Sequence, residues 1–171
     1  MYKMILLILL FICVNPLNAY DKNDKLEVLI MAKASKYIKW EEDSSENFII
    51  TILNNPYGDL FEKLLSNKKI NNQPIKIKYI SDIDELTRTN ILYIPISDKK
   101  KLSSILEKIK NKNILTVSNM KGFVERGGIM QIYFISQRVK LKINLQESIN
   151  NYLKISSSLL RISDVSNRGK K

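Results

Sequence analysis

Histidine is absent from this chain of 171 residues, and cysteine occurs once, at Cys13. These two residue types supply most of the protein ligands to zinc and copper, so the sequence disfavours such a metal site. They also supply the commonest general base and the strongest common nucleophile. A single cysteine cannot build a disulfide framework. We therefore expect a protein that functions without a cofactor or a metal.

Nucleotide-binding and hydrolase motifs are also absent. The sequence contains no G-x-G-x-x-G, Walker A, G-x-S-x-G or H-E-x-x-H pattern. The neighbouring carboxylates Glu41 and Glu42 do not make a catalytic pair, because adjacent residues at a helix end do not face each other. The sequence thus favours binding over catalysis. An enzyme would require a buried carboxylate with a raised pKa at the functional site.

A long apolar run occurs only at the start of the chain. Met4 to Val14 is unbroken and apolar, Lys3 precedes it, and a proline and the small residue Ala19 follow. This pattern is typical of a secretory signal peptide cleaved after Ala19, and the run is shorter than the roughly 20 residues that span a bilayer. We predict a signal peptide over residues 1–19 and a single periplasmic domain over residues 20–171. An uncleaved anchor is the alternative.

Basic residues outnumber acidic ones, and the net charge of +11 becomes +10 once Lys3 leaves with the leader. The lysines are spread along the chain, with small clusters at 99–101 and 170–171. No basic stripe interleaved with aromatic residues appears, so a nucleic acid is not expected as a partner. The charge indicates a solvated basic surface, with an anionic partner as the alternative.

Six segments have the patterns of strands. Some are apolar throughout, as in strands covered on both faces, and others alternate. The last two are separated by a short polar turn and predict an antiparallel hairpin. The predicted strands are 48–53, 74–80, 91–96, 113–118, 129–135 and 139–145.

Helical patterns separate the strands. The predicted helices are 26–40, 59–65, 99–109, 147–153 and 155–162, with at most a short helix at 83–86. Asp24 is expected to cap the first helix, and Ser97 and Asp98 the third. The apolar face predicted for the first helix consists of Leu26, Leu29, Ile30, Ala34, Tyr37 and Ile38.

Alternation of strands and helices from residue 48 to 118 predicts right-handed βαβ units and a parallel sheet. The predicted fold is a three-layer α/β sandwich with a mixed sheet of about six strands and helices on both faces. Four strands are parallel, and the C-terminal hairpin adds two antiparallel strands.

Ligands of open α/β sheets bind beyond the carboxyl ends of the parallel strands, where three loops are expected to meet. Gly58 and Ser97 introduce helices with free N–H groups, Gly127 and Gly128 permit a close approach or a positive φ, and Arg126 offers a forked donor. The candidate ligand or partner residues are Asn54, Asn55, Tyr57, Gly58, Ser97, Ser118, Phe123, Glu125, Arg126, Gly127 and Gly128.

Each candidate also has a purely structural interpretation. The turn at 54–58 could serve only to connect a strand to a helix, and the two glycines could serve only to redirect the chain. Arg126 could pair with Glu125 and have no other role. Tyr57 and Phe123 could be packing residues.

Six segments together resemble the YfiR family of periplasmic proteins over nearly all of the predicted mature chain. They are Tyr37-Ile38-Lys39-Trp40, the turn at 54–60, Leu115-Thr116-Val117-Ser118, the loop at 122–128, the strand at 139–145 and the segment at 153–160. Each is modest alone, and their order and spacing make the resemblance specific.

The resemblance implies an exported α/β domain that acts by binding. The best-known members of that family hold a membrane diguanylate cyclase inactive through its periplasmic part, and others occur beside outer-membrane receptors or as sensory modules of kinases. It also implies a possible homodimer. This chain lacks the cysteines that form disulfides in some members. The alternative function is a periplasmic protein that binds or senses a small anion.

Overall fold

The computed structural model describes residues 20–41 and 45–166, so the predicted signal peptide lies outside the described residues. The helices are α1 (Lys22–Ser35), α2 (Leu60–Leu65), α3 (Leu102–Lys108), α4 (Leu145–Asn150) and α5 (Ser157–Arg161). The strands are β1 (Ile38–Trp40), β2 (Phe48–Leu53), β3 (Lys69–Ile70), β4 (Gln73–Ile80), β5 (Ile91–Tyr93), β6 (Leu115–Ser118), β7 (Met130–Ile135), β8 (Arg138–Asn144), β9 (Leu153–Ile155) and β10 (Asp164–Ser166).

An eight-stranded mixed sheet has the order β10-β8-β7-β6-β5-β2-β4-β3. Strands β4, β2, β5, β6 and β7 are parallel neighbours, and β7 and β8 form the antiparallel hairpin. Ser136 and Gln137 turn this hairpin with positive φ at both residues, as a type I′ hairpin turn requires. The predicted parallel strands and the hairpin are confirmed. The sequence did not predict the short strands β3 and β10.

Two apolar clusters lie on opposite faces of the sheet. The first packs α1, α2 and α5 against one face, and the second packs α3 and residues 120–123 against the other. Fully buried strands present alternate side chains to the two clusters, so their runs are apolar throughout. Helices on both faces confirm the predicted three-layer α/β sandwich.

The first helix begins and ends earlier in the chain than the sequence predicted. It begins at Lys22, after Asp21 rather than Asp24, and ends at Ser35. Residues 38–40 form β1, which pairs with β9 in a separate two-stranded sheet. Trp40 stacks edge-on to Phe48 at 5.0 Å, and its indole N–H donates to the Asn90 carbonyl at 3.1 Å. These contacts with distant segments favour a strand where local periodicity favoured a helix.

The predicted apolar face of α1 is right for Ala34, which is buried, and for Ile38, which is buried beyond the end of the helix, and wrong for the residues that are exposed. The buried residues of this helix are Glu27, Val28, Met31, Ala32, Ala34 and Ser35. Leu29 and Tyr37 are exposed, and Ile30 is half-buried. Apolar residues occur on nearly every side of the helix, so their spacing does not single out the buried side.

Other boundaries also differ from those predicted. Strand β5 ends at Tyr93, and a 3-10 turn at Ile96–Asp98 precedes α3, so Ser97 and Asp98 do not cap that helix. Pro95 has no N–H to continue the ladder. The second closing helix begins at Ser157, because residues 153–155 form β9.

In the part of the chain described, no helix is both long enough and apolar enough to cross a membrane.

Candidate functional site

Four polar side chains meet at the carboxyl ends of β2, β5 and β6, and we call them the Glu27 cluster: Glu27, Tyr57, Tyr93 and Asn119. The Tyr93 hydroxyl donates to Glu27 Oε1 at 2.7 Å, and Asn119 Nδ2 donates to Glu27 Oε2 at 3.1 Å. The hydroxyls of Tyr57 and Tyr93 are 2.9 Å apart. The cluster therefore joins α1 to the ends of three strands.

The proton positions in the Glu27 cluster follow from its donors. The single hydroxyl proton of Tyr93 points to Glu27, so Tyr57 donates to Tyr93. Tyr57 in turn accepts from Asn119 Nδ2 at 3.1 Å. Asn119 Oδ1 is buried and has no hydrogen-bond partner among the described residues. Two donors thus converge on one buried carboxylate.

Burial governs the titration of the cluster. The Glu27 side chain is 3% exposed, and this burial raises its pKa to about 7, although the hydrogen bonds from Tyr93 and Asn119 lower it. Burial, with the nearby Glu27 charge, raises the pKa of Tyr57 to about 12. Burial also raises the pKa of Tyr93. A carboxyl group with a pKa near neutrality changes charge in the physiological range.

The turn after β2 positions Tyr57. Asn54 and Gly58 have positive φ, as such a tight turn requires. Asn55 Oδ1 accepts from the Tyr57 N–H at 3.0 Å, and Asn55 Nδ2 donates to the Gly58 carbonyl at 2.6 Å. The ring of Tyr57 packs against Phe61 and Tyr93 at 5.9 and 5.7 Å. The predicted site residues Asn54, Asn55 and Gly58 therefore shape the turn that holds Tyr57.

The second predicted loop, at Ser97 and Asp98, contacts the first loop at Asn54. Asn54 Nδ2 donates to Asp98 Oδ1 at 2.9 Å, and the exposed Ser97 hydroxyl lies 3.3 Å from Asp98 Oδ2. Asn54 and Asp98 line a cavity of about 160 Å³ with Asp82.

Most predicted side chains of the third loop have partners within the fold. Ser118 is buried and its hydroxyl accepts from the Met120 N–H at 3.0 Å. Arg126 donates from Nε and Nη2 to the carbonyls of Gly122 and Lys121 at 3.2 and 2.8 Å. Glu125 forms an ion pair with Lys142.

The loop requires glycine at Gly127 and at Gly128 for two different structural reasons. Gly127 has φ +99° and ends a 3-10 turn at Val124–Arg126. A Cβ on Gly128 would lie 2.1 Å from Cε1 of the fully buried Phe123 ring. Gly128 therefore allows the loop backbone to pass against a core aromatic ring.

The predicted residues separate into two groups in space. The first and second loops meet at the carboxyl edge, where Asn119, which was not among the predicted residues, contacts Tyr57. Arg126 and Gly127 line a different cavity of about 280 Å³, with Glu107, Lys110 and Glu147. No other predicted site residue lines that cavity, because the chain from 119 to 128 folds back across the sheet before it enters β7.

Sequence reasoning missed Glu27, Tyr93 and Asn119. One signal was available for Tyr93: a tyrosine inside a fully apolar strand needs a hydrogen-bond partner when it is buried. Glu27 gave no such signal, since a glutamate near a helix start is ordinarily exposed. Among the described residues, no group of three acidic, histidine or cysteine side chains could hold a metal ion.

A model of the YfiR/HmsC-like family matches residues 24–164 of the chain. No curated protein sequence matches it. A solved structure of a conserved domain protein from Vibrio cholerae O1 biovar El Tor strain N16961 is similar, with 12% identity, a TM-score of 0.60 and coverage of 84% of this chain. The structure of the ABC domain from Streptococcus pneumoniae, solved in complex with L-Trp, is also similar. Its sequence identity is 10%, its TM-score is 0.56, and the match covers 83% of this chain.

Both solved structures are longer than the region they share with this chain, which is 60% of each. At these identities the similarity shows a common fold and nothing about ligands.

Proposed function

The chain belongs to the YfiR/HmsC-like family, and we propose on this basis that it is an exported regulator that acts by binding. Its partner is the periplasmic part of an inner-membrane signalling enzyme, either a diguanylate cyclase or a sensor kinase. The observation that carries the proposal is the family match over residues 24–164, which includes nearly all of the predicted mature domain.

The predicted leader supports export, because its apolar run is short and the leader ends at the small residue Ala19. The proposed periplasmic location brings the protein to the compartment where a membrane enzyme exposes its sensor part. The absence of histidine and of a second cysteine from the whole chain supports an action by contact.

The Glu27 cluster is the one feature that favours an enzyme, since it holds a buried carboxylate with a raised pKa at the expected edge. We assign it a structural role. Glu27 accepts from two protein donors, and no residue of the cluster lines the cavities of about 160, 280 and 290 Å³. A catalytic base would need a substrate within hydrogen-bond reach.

The proposal is tested by deleting the gene and measuring cyclic di-GMP, with capture of partners on the tagged protein from envelope extracts. We expect a changed cyclic di-GMP level and recovery of a transmembrane cyclase, or an unchanged level and recovery of a sensor kinase. The control is a variant without residues 2–19, which should remain in the cytoplasm and fail to complement the deletion. An unchanged cyclic di-GMP level together with no captured membrane enzyme would refute the proposal.

A second candidate function is binding of a small anion, and the cavity beside Arg126 favours it. The guanidinium has donors beyond the two that it uses within its own loop, and Lys110 lines the same cavity. The acidic residues Glu107 and Glu147 line the same cavity and would repel an anion, which counts against this function.

Thermal-shift measurements with small carboxylates and phosphates test the second candidate. A ligand at 100 times its Kd should stabilise the protein by about 2.7 kcal/mol, and Arg126→Ala should abolish the shift. No shift with any anion would remove this function.

A further inference from the structure

An apolar groove lies between α1, β8 and α5, on the face of the sheet opposite to α3. Its cavity is about 290 Å³. The apolar lining consists of Ile30, Ala34, Tyr37, Leu141, Leu159 and Ile162, and the polar lining consists of Lys33 and Ser158. We call this feature the α1–α5 groove.

The side chains at the mouth of the α1–α5 groove are unusually exposed for their type. Tyr37 is 47% exposed and Ile162 is 74% exposed. Ile30 and Tyr37 belong to the apolar face that the sequence predicted for the first helix. In the fold Ile30 is half-buried and Tyr37 is exposed. An apolar concavity with exposed apolar side chains at its mouth is typical of a binding surface.

The charged residues that line the groove, or that adjoin its exposed side chains in the chain, are basic. Lys33 is the only charged residue among the described residues that line it. Lys36 and Arg161 are exposed and adjoin Tyr37 and Ile162 in the chain. In residues 20–41 and 45–166, none of these three cations forms an ion pair. The nearest acid along the chain, Asp164, accepts from the Tyr133 hydroxyl.

Shape and charge together select the occupant. A concave apolar surface needs a convex ridge of side chains, which a helix provides and a flat lipid surface does not. A second copy in a two-fold contact would bring Lys33, Lys36 and Arg161 toward the same cations, in a chain in which basic residues already outnumber acidic ones. A partner with carboxylates beside its apolar ridge gains charge complementarity instead.

We propose that the α1–α5 groove binds an acidic amphipathic helix of a partner protein, with its apolar side chains in the cavity and its carboxylates beside Lys33. This inference rests on the proposed function for the existence of a partner in the cell, and it adds the surface and the chemistry of that contact.

The test uses two fluorescent amphipathic peptides of equal length with the same leucine stripe, one with glutamates and one with lysines on the polar face. Their binding to the purified protein is measured by fluorescence anisotropy. We expect the glutamate peptide to bind at least about tenfold more tightly. Ile162→Ser and Tyr37→Ser should weaken it by about tenfold, and Lys33→Glu should reverse the preference between the peptides.

Matched controls lie outside the groove. Ile96→Ser removes another exposed isoleucine, and Lys100→Glu reverses another exposed lysine. Both should leave peptide binding unchanged, and far-UV circular dichroism checks that every variant folds.

Three outcomes would overturn the inference. The first is equal affinity for both peptides, or affinity that the groove variants do not change. The second is a dimer in sedimentation that Ile162→Ser dissociates, which assigns the groove to a second copy. The third is binding to phosphatidylglycerol vesicles, lost in the groove variants, without peptide binding. If peptides bind as expected but deleting the gene leaves cyclic di-GMP unchanged and no membrane enzyme is captured, the proposed function fails and the groove assignment stands.

Discussion

At the scale of single residues, Gly128 shows how the loop that contains Glu125 and Arg126 can lead directly into the buried strand β7. Its backbone passes over the Phe123 ring, and even a methyl group would overlap that ring at 2.1 Å. We expect Gly128→Ala to destabilise the protein by about 1–3 kcal/mol, the usual cost of overpacking a core. Urea denaturation measures this difference.

A double-mutant cycle identifies the cause. In Phe123→Leu the ring is gone, so adding Gly128→Ala should cost clearly less than in the native background. Gly127→Ala is the comparison within the same loop, because its neighbour Leu106 Cδ1 is 3.7 Å away and only the positive φ opposes a side chain. Additive effects of the two changes would contradict the proposed overlap.

Glu27 provides a prediction of pH dependence. Its pKa of about 7 in the folded protein exceeds its ordinary value of 4.5, so the folded state binds the proton more tightly than the unfolded state. The stabilising contribution is complete below pH 4.5 and is lost as the pH rises through 7, by up to about 3 kcal/mol. Thermal unfolding from pH 5 to 8 should show this decline.

The Glu27→Gln variant should have a flatter stability profile between pH 5 and 8. A glutamine can still accept from Tyr93, and its amide can donate to Asn119 Oδ1 if the Asn119 side chain turns over. Glu46→Gln, at an exposed position, should keep the native profile. Identical slopes in all three proteins would show that Glu27 does not titrate in this range.

At the scale of elements, β10 protects the edge of the main sheet. Its three residues pair in parallel with residues 142–144 of β8, and Tyr133 contacts Asp164. Truncation after Ser163 should expose the β8 edge, reduce stability by about 2 kcal/mol and promote aggregation. Size-exclusion chromatography and thermal unfolding check this.

Truncation after Ser166 is the control for this experiment, since it retains β10. It should leave stability and the monomer fraction unchanged. If both truncations behave alike, β10 has no protective role.

Short elements also explain where sequence prediction failed. Strands β3, β9 and β10 have two or three residues, too few for an alternating pattern to appear. Strand β1 was assigned to a helix because its pairing partner, β9, is more than a hundred residues away in the chain. Longer segments such as β2 and β4 were predicted to within a residue, because their patterns are complete in themselves.

At the scale of the whole molecule, the predicted leader gives a direct test of export. Mass spectrometry of the protein from the periplasm should find a chain that begins at Tyr20, because signal peptidase requires the small residue Ala19 before the cut. Ala19→Arg should block processing and leave the precursor at the membrane. A periplasmic protein that retains Met1 would contradict the cleavage, though not the fold.

The sequence by itself determined the layers and the direction of the main strands. Alternating apolar strands and helices admit few arrangements, since each element must bury an apolar face and parallel connections are right-handed. It also predicted that the loops after the parallel strands would lie at the carboxyl edge. Only the tertiary structure decided which polar side chains meet there: Glu27 and Tyr93 are far apart in the chain and meet because α1 packs on the face of the sheet to which Tyr93 points. The same packing left one apolar side of α1 uncovered, because a helix that is apolar on most sides can bury only the side that its neighbours reach.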